Sequence, residues 1–342
     1  MVNEILSRIR GKLGARSAPE QVEDDYKALE DAIAGLQAAD RIYHPGPYWE
    51  RYREPLQDYL RKHGLRDYRL GDASENDPKY ILRRFGAGEP RVPPPTHVAA
   101  KEWDTLRYKF AESYGQLMGS MPLSKLEICT AGNPGDLFRV RGRFYTTNVL
   151  NFYMRYAYLC QFIDFNSISV IAEIGPGSGL QTEILHKLHP QLASYLFDIP
   201  PQSYITNQYL KHVFPGKVVG INETKDLKAV PPKEPGRIYI FNSWQAPLVR
   251  RLNIDLFWNA ASFNEMEPDL VANYLHYFAP QSKRIYLMSI MEGSRVGLED
   301  YHRLLKSHEC RSMVPLQLVD GRLSLAYRNS LWWKRRVQGA VS

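Results

Sequence analysis

Cysteine is scarce in this sequence, and long hydrophobic runs are missing. The three cysteines, Cys129, Cys160 and Cys310, are odd in number and widely spaced, which argues against a disulfide framework or a zinc ribbon. A reducing, cytoplasmic location is the resulting expectation. No apolar run reaches the ~18 residues that are needed to cross a bilayer, so no transmembrane segment is predicted. Repeats and low-complexity tracts are also missing, and no metal site is expected.

Acidic residues are fewer than basic ones. The 342 residues include 44 Lys and Arg but 37 Asp and Glu, so the net charge is +7. This moderate charge favours anionic partners such as nucleic acid, phosphorylated glycans or a membrane surface, but a basic solvated surface without a function explains it equally well. With 44% hydrophobic and 24% charged residues, the chain has the composition of a globular protein with a sizeable core.

The first residues have a pattern of their own. In residues 1–17, apolar side chains at helical spacing are interleaved with basic ones, which predicts an amphipathic basic helix. Such a helix can lie on an anionic membrane, which would make the protein peripheral to a membrane. Glu4 and the shortness of the apolar stripe favour a simple surface helix instead.

Up to about residue 141 the sequence is mainly helical. Two segments rich in Pro and Gly, 86–95 and 132–135, cannot continue a helix or a central strand. Around them, apolar residues recur at three- and four-residue intervals, which predicts the helices Asp24–Ala39, Tyr48–His63 and Lys101–Met118. We therefore distinguish a mainly helical N-terminal region, residues 1–141, from a second domain, residues 142–342.

The second domain alternates strands with helices. Short apolar runs predict the strands Ser169–Ile174, Ala193–Ile199, Arg237–Phe241, Leu256–Ala261 and Lys283–Ile290. Two further alternating runs, Met313–Val319 and Arg322–Tyr327, are joined by Asp320-Gly321, a strong hairpin signal. The predicted fold is therefore α/β, with a Rossmann-like, doubly wound sheet of seven strands that ends in an antiparallel hairpin. Nicotinamide-binding versions of this sheet usually end in parallel strands, so the hairpin argues against them.

A glycine-rich loop follows the first of these strands and opens a helix. Gly175, Gly177 and Gly179 allow a sharp turn and a close approach of a ligand to the backbone. Asp198 ends the next strand, 23 residues after Gly175, at the spacing of a carboxylate that binds ribose hydroxyls. Glu173 precedes the loop and suits a cationic ligand better than a pyrophosphate. The alternative is an ordinary tight turn followed by a surface aspartate.

Three segments, Glu173–Gly179, Phe197–Pro201 and Asp255–Met266, together resemble the sugar O-methyltransferases of bacterial glycan and natural-product pathways. These belong to the class I S-adenosylmethionine (SAM)-dependent methyltransferases, whose sheet has the seven-stranded arrangement predicted above. The resemblance extends more weakly upstream through Tyr48-Trp-Glu and Gly132-Asn-Pro134. It implies SAM as the cofactor, bound by Glu173, the three loop glycines and Asp198. Asn242 and Trp244 follow the third strand, where side chains commonly frame an adenine, and the alternative for Trp244 is a core aromatic.

Candidate acceptor-side residues follow the fourth strand. Ser262, Asn264 and Glu265 lie where an acceptor hydroxyl is expected, with Glu265 as the general base and Asn264 orienting the acceptor. The alternative is that Glu265 caps the helix that begins at Pro268. His276, inside that helix, is a second candidate base, and the favoured alternative is a packed or exposed histidine without a catalytic role.

The N-terminal region is expected to cover the acceptor pocket, because additions to this fold select the acceptor. Arg139 and Tyr145, near the start of the second domain, are candidate substrate contacts. The alternative is that the region joins two copies of the chain as a homodimer.

The resulting hypothesis is SAM-dependent methylation of a hydroxyl on a sugar unit, in a glycan or a glycosylated small molecule. The basic charge and the Trp332–Arg336 tail favour an RNA methyltransferase as the alternative, and another small-molecule acceptor is also compatible. A scaffold that binds SAM without catalysis is the remaining alternative.

Overall fold

A large mixed sheet organises the described part of the chain. The structure, a computed structural model, describes residues 21–71, 89 and 93–335. The basic segment 1–17 and most of the 86–95 connector therefore lie outside the described residues. Among the described residues, no helix has both the length and the hydropathy to cross a bilayer.

The N-terminal helices form where the apolar spacing predicts them. They are α1 (Tyr26–Ala38), α2 (Pro47–His63) and α3 (Ala100–Leu117). A carboxylate oxygen of Asp25 accepts a hydrogen bond from the Ala28 N–H at 3.0 Å and so caps α1. Pro47 occupies the first turn of α2, where no hydrogen bond is lost.

A small hairpin leads into the long helix that precedes the sheet. Strands β1 (Phe138–Val140) and β2 (Arg143–Tyr145) pair antiparallel, and α4 (Thr147–Cys160) follows at once. The hydroxyl of Thr146 caps α4 by accepting a hydrogen bond from the Val149 N–H at 3.2 Å. The sequence reading did not predict this hairpin.

The described residues place eight strands in the large sheet. In chain order they are β3 (Val170–Ile174), β4 (Ala193–Asp198), β5 (Val218–Val219), β6 (Ile238–Asn242), β7 (Leu256–Ala260), β8 (Arg284–Ile290), β9 (His308–Gln317) and β10 (Leu323–Lys334). Across the sheet the order is β5-β6-β4-β3-β7-β8-β10-β9. All pairs are parallel except those of β10, which runs antiparallel to β8 and β9. The predicted fold class is confirmed, and the two-residue β5 is an addition to the seven predicted strands.

Short helices connect the parallel strands: α5 (Leu180–Leu188), α6 (Gln202–Val213), α7 (Ile221–Thr224), α8 (Pro268–Phe278) and α9 (Leu298–Leu304). The crossovers place two hydrophobic cores, one on each face of the sheet. The core under α4 contains Leu60 and Tyr108 together with Ile171 and Trp258. Residues from both sides of position 142 therefore share one core.

The C-terminal hairpin turns at the predicted residues. Gly321 has a φ of +85°, its N–H donates to the carbonyl of Leu318 at 3.0 Å, and the Leu318 N–H donates to Arg322 at 2.9 Å. A glycine in the left-handed region is typical of such a three-residue loop. Strand β10 continues through Lys334, and Trp332 is completely buried between the sheet and its helices. Trp332 therefore packs back on the domain and is not available to contact nucleic acid or lipid.

Candidate active site

A cavity of about 250 Å³ lies at the carboxyl ends of β3, β4 and β7. Parallel α/β sheets bind ligands in the crevice at this edge. Residues from the sheet side that line it include Gly175, Gly177, Asp198, Ser262, Glu265 and Tyr274. Pro45, Gly46, Trp49 and Phe152 line it from the N-terminal helices and α4.

The three glycines of the loop have backbone conformations that other residues rarely adopt. Gly175, Gly177 and Gly179 have φ values of +74°, +61° and +81°. A Cβ on Gly175 would collide with the Ser262 side chain, so glycine is needed there for packing. A Cβ on Gly177 would meet no atom within 4 Å, so this glycine borders open space in the cavity. The loop therefore leaves its backbone open to a ligand at Gly177.

Backbone N–H groups hold the side chain of Asp198 in position, and one of them belongs to the glycine loop. Its two carboxylate oxygens accept hydrogen bonds from the backbone N–H groups of Gly177 (3.1 Å) and Ile199 (2.8 Å). A carboxylate has about four acceptor positions, so about two remain for a ligand. Burial raises the pKa of Asp198 to about 7, although both backbone hydrogen bonds lower it.

Glu173 adds a second buried carboxyl group beside Asp198. Its side chain is 3% exposed and accepts a hydrogen bond from the Thr182 hydroxyl at 3.4 Å. Burial and the negative charge of Asp198 raise the pKa of Glu173 to about 8. Two buried carboxyl groups on neighbouring strands favour a ligand that brings positive charge.

Glu265 ends the 3₁₀ turn Ser262–Glu265, after β7, and lines the cavity. Burial and the charge of Asp198 raise the pKa of Glu265 to about 7. The N-cap of α8 is Glu267, so Glu265 does not cap that helix. A carboxyl group with a pKa near neutrality is suited to accept a proton.

The turn that carries Glu265 is held by a polar network. The Asn259 amide donates hydrogen bonds to the Ile174 carbonyl (2.9 Å) and to the Ser262 hydroxyl oxygen (2.5 Å). The Ser262 hydroxyl in turn donates to the Ile174 carbonyl at 3.1 Å. Ala261 has a φ of +75°, a strained conformation for a residue with a Cβ. The strand end and the glycine loop are thereby joined, and Ser262 reaches the cavity as predicted.

Two predicted acceptor-side residues have other surroundings. The side-chain oxygen of Asn264 accepts a hydrogen bond from the Ile290 N–H at 3.0 Å, so Asn264 ties the turn to β8. His276 lies on the exposed side of α8, with its ring 5.0 Å from that of Tyr277. This side of α8 faces away from the sheet, so His276 does not reach the cavity.

The two predicted substrate contacts in the N-terminal hairpin are also placed elsewhere. Arg139 is exposed and donates a hydrogen bond to the Gly142 carbonyl at 2.8 Å. Tyr145 is buried with its ring 5.0 Å from that of Tyr108 on α3. The hairpin packs against α3 and not on the strand ends, so neither residue lines the cavity.

On the cofactor side, the residues after β6 differ from the expectation. Asn242 is buried, and its side-chain oxygen accepts a hydrogen bond from the Ser203 hydroxyl at 2.7 Å. Trp244 packs on α1, where a Cβ on Gly35 would lie 2.7 Å from the indole ring. The neighbouring Ser243 lines the cavity instead. Gly179 begins α5 behind the loop and lies against Leu210.

Two aromatic residues that line the cavity on the side opposite the sheet were not predicted from the sequence. Trp49, near the start of α2, and Phe152 on α4 both contribute aromatic rings to its lining. Gly46 packs on Glu267, because a Cβ there would lie 3.0 Å from a carboxylate oxygen of Glu267. Glu267 also pairs with Arg295. The Tyr48-Trp-Glu segment carried a weak signal for this region, but no local pattern marked Phe152.

Comparison with known proteins finds similar solved structures. No protein-family model matches the sequence, and no curated protein matches it at a significant level. The chain is similar to the mitomycin 7-O-methyltransferase MmcR, at 12% identity over 92% of this chain and 74% of that one, with a TM-score of 0.39. It is also similar to the magnesium protoporphyrin IX methyltransferase ChlM from Synechocystis PCC 6803 with bound SAM, at 10% identity over 83% of this chain and 97% of that one, with a TM-score of 0.39. These values are too low to carry a conclusion about the activity of this chain.

Proposed function

We propose that this protein is a SAM-dependent methyltransferase that acts on a hydroxyl oxygen. The observation that carries the proposal is the meeting of three groups at one cavity: the open backbone of Gly177, the loop-bound carboxylate of Asp198, and the half-buried carboxyl group of Glu265. The first two suit a nucleoside, and the third suits an acceptor proton.

The residues present fit the cofactor. Asp198 has about two acceptor positions left for the ribose hydroxyls, and Gly177 gives the ligand room to lie against the backbone. Ser243 and Tyr274 line the cavity on the side of β6 and α8, where an adenine would lie. Bound there, SAM supplies a methyl group that is already activated on a sulfonium. The carboxyl groups of Glu173 and Asp198 offset that positive charge.

Glu265 is the group of this chain that moves a proton. Because the methyl group is activated, the protein has to position the acceptor and remove the proton of its hydroxyl. Glu265 receives this proton on its carboxylate, and Asn259, Ser262 and Asn264 hold the turn that carries it. Asn264 is thus a positioning residue in this proposal.

A sugar unit is the proposed acceptor. The sequence resemblance to sugar O-methyltransferases supports it, and so do the rings of Trp49 and Phe152 in the cavity lining. Aromatic faces pack well against the apolar faces of a sugar ring, while polar groups fix its orientation. In this proposal the N-terminal region, residues 1–141, covers the acceptor, residues 142–342 bind the cofactor, and the protein acts in the cytoplasm.

Transfer from labelled SAM tests the proposal. The protein is given labelled SAM with small glycosides and extracted glycans, with total RNA, or with no acceptor, and Glu265→Gln is run in parallel. Label in the glycoside or glycan pool that is lost in the variant supports sugar O-methylation. Label in RNA overturns the sugar acceptor, and SAM binding without transfer to any pool indicates a scaffold.

A further inference from the structure

The first half of α2 carries three aromatic side chains that stay partly accessible. Every residue from 47 to 55 is exposed or half-buried, whereas the fully buried residues of α2 begin at Leu56. Tyr48, Trp49 and Tyr52 nevertheless lie in this first half, and all three are half-buried. Aromatic side chains that cluster on a surface are typical of binding sites, because each offers a large apolar face together with a polar tip.

These three residues form a row that starts at the cavity. Trp49 lines the cavity, and the centroid of the Tyr48 ring lies 5.6 Å from that of Trp49. The Tyr52 ring follows, with its centroid 5.5 Å from that of Tyr48 and about one helical turn further along α2. Both contacts are edge-to-face, with interplanar angles of 87° and 69°. We call Trp49, Tyr48 and Tyr52 the aromatic row, which continues the cavity lining along α2.

Hydrogen-bonding groups accompany the aromatic row. The guanidinium carbon of Arg51 lies 5.4 Å from the centroid of the Tyr52 ring, and Arg53 forms an ion pair with Glu50 at 3.0 Å. Guanidinium N–H groups and tyrosine hydroxyls donate hydrogen bonds, and carboxylate oxygens accept them. The row therefore combines flat apolar faces with polar groups beside them. A sugar unit offers the matching combination, because it has an apolar C–H face and a rim of hydroxyl groups.

We propose that the aromatic row binds the sugar units next to the methylated one, so that the acceptor is a glycan chain of several units. The proposal rests on the proposed function, because it assumes that the methylated sugar lies in the cavity beside Trp49. Since the cavity of about 250 Å³ has to hold the cofactor and the reacting sugar, further units lie outside it, where the row continues its lining. An aromatic group attached to a single sugar has a similar apolar face, and the experiment distinguishes the two.

The test varies the length of the acceptor. Partial acid hydrolysis of a glycan that takes label from SAM gives its mono-, di- and tetrasaccharides, and each is offered to the protein with SAM. For wild type, the KM should fall from the monosaccharide to the tetrasaccharide, because added units stack on the row. Tyr48→Ala should raise the KM of the di- and tetrasaccharides roughly tenfold, and Tyr52→Ala mainly that of the tetrasaccharide. The KM of the monosaccharide should stay within about threefold in both variants.

Controls separate sugar binding from support of the fold. Tyr48→Phe keeps the ring and should retain most of the wild-type KM. Tyr26→Ala is the matched control, because Tyr26 is a tyrosine of α1 that is 46% exposed, and it should not change the KM of any acceptor. The affinity for S-adenosylhomocysteine should stay close to that of wild type in every variant, because the described cavity lining does not include Tyr26, Tyr48 or Tyr52.

Several results would overturn the proposal. Label that enters small glycosides but no glycan chain, or a wild-type KM that does not depend on length, excludes contacts beyond the reacting sugar. Equal loss for the mono- and tetrasaccharide in Tyr48→Ala means that the ring only supports the cavity. An aryl glycoside of the monosaccharide that matches the tetrasaccharide in KM, and loses as much in Tyr48→Ala, assigns the row to an aromatic group instead.

Two further results have a separate meaning. A change in the sedimentation of Tyr48→Ala assigns the row to a contact between copies of the chain and also overturns the proposal. Binding of S-adenosylhomocysteine without methyl transfer to any sugar acceptor removes the proposed function itself, and the glycan site with it.

Discussion

The backbone N–H of Gly177 donates a hydrogen bond of 3.1 Å to the carboxylate of Asp198. This bond joins the glycine loop after β3 to the end of β4, two segments whose strands are neighbours in the sheet. The loop conformation and the direction of the carboxylate therefore depend on each other. A ligand that uses Asp198 also meets the open side of Gly177.

Substitution of Asp198 should abolish most cofactor affinity. Asp198→Ala removes the acceptor for the ribose hydroxyls and releases the Gly177 N–H, and charged hydrogen bonds contribute about 1.5–3 kcal/mol each. We expect titration with S-adenosylhomocysteine to show an affinity loss of roughly 100-fold or more. Asp226→Ala, at an exposed aspartate, is the control. Undiminished binding in Asp198→Ala would falsify the site.

Alanine at the two loop glycines should have different consequences. Both positions have positive φ, which costs a residue with a Cβ roughly 1–2 kcal/mol. Gly175→Ala also collides with Ser262, so a larger loss of thermal stability is expected. Gly177→Ala adds its methyl group to open space, so it should fold and lose S-adenosylhomocysteine affinity. Thermal melting and titration of both variants check this, and equal melting temperatures would contradict it.

The stability of the ligand-free protein should fall as the pH rises from about 4.5 to about 8. The pKa of Glu173 is raised from 4.5 to about 8, so between these values the folded chain holds a proton that the unfolded chain has lost. The stabilising contribution of this proton is complete below pH 4.5 and is lost by about pH 8, with a slope on the order of 1 kcal/mol per pH unit. Glu173→Gln should flatten the curve. Urea unfolding at several pH values measures the difference, and parallel curves would contradict the assignment.

Parts of the site that depend on local sequence could be predicted. Gly175, Gly177 and Asp198 belong to a strand–turn–helix pattern whose geometry follows from neighbouring residues, and the structure places all three at the cavity. The hairpin turn at Gly321 has the same local origin. In each case a positive φ or a strand end is encoded within a few residues.

Parts that depend on packing could not be predicted. Trp49 and Phe152 reach the cavity because α2 and α4 pack over the strand ends, and no short motif encodes that arrangement. The prediction that Trp244 frames the adenine is wrong, because the 3₁₀ segment Ser243–Arg251 directs the indole ring toward α1. The exposed position of His276 follows from the rotational phase of α8, which its apolar stripe suggests only after the sheet is known.

Glu265 should give the reaction a pH dependence near neutrality. Its pKa of about 7 means that the carboxylate needed as a base forms as the pH rises through 7. We expect kcat/KM to increase over this range and to level off above it, and Glu265→Gln to lower kcat by roughly 100-fold or more. Binding of S-adenosylhomocysteine should be largely retained. Glu292→Gln, at an exposed residue after β8, should match wild type.

Deletion of the N-terminal region is a poor test of the proposal that this region covers the acceptor. Leu60 and Tyr108 share a hydrophobic core with Ile171 and Trp258 of the sheet. A chain that begins near residue 142 would expose this core to water, and we expect it not to fold. Any loss of acceptor affinity would then follow from unfolding. A single substitution in the cavity lining gives a cleaner answer.

Trp49→Ala should weaken binding of the acceptor and leave binding of the cofactor nearly unchanged. The ring lines the cavity from α2, while Asp198 and the glycine loop line it from the opposite, sheet side. Loss of an aromatic face removes apolar contact and stacking, so the KM of the acceptor should rise roughly tenfold. Titration with S-adenosylhomocysteine should stay within about threefold of wild type, and Trp49→Phe should recover most of the KM. If cofactor affinity falls as much as acceptor affinity, Trp49 closes the whole cavity and does not select the acceptor.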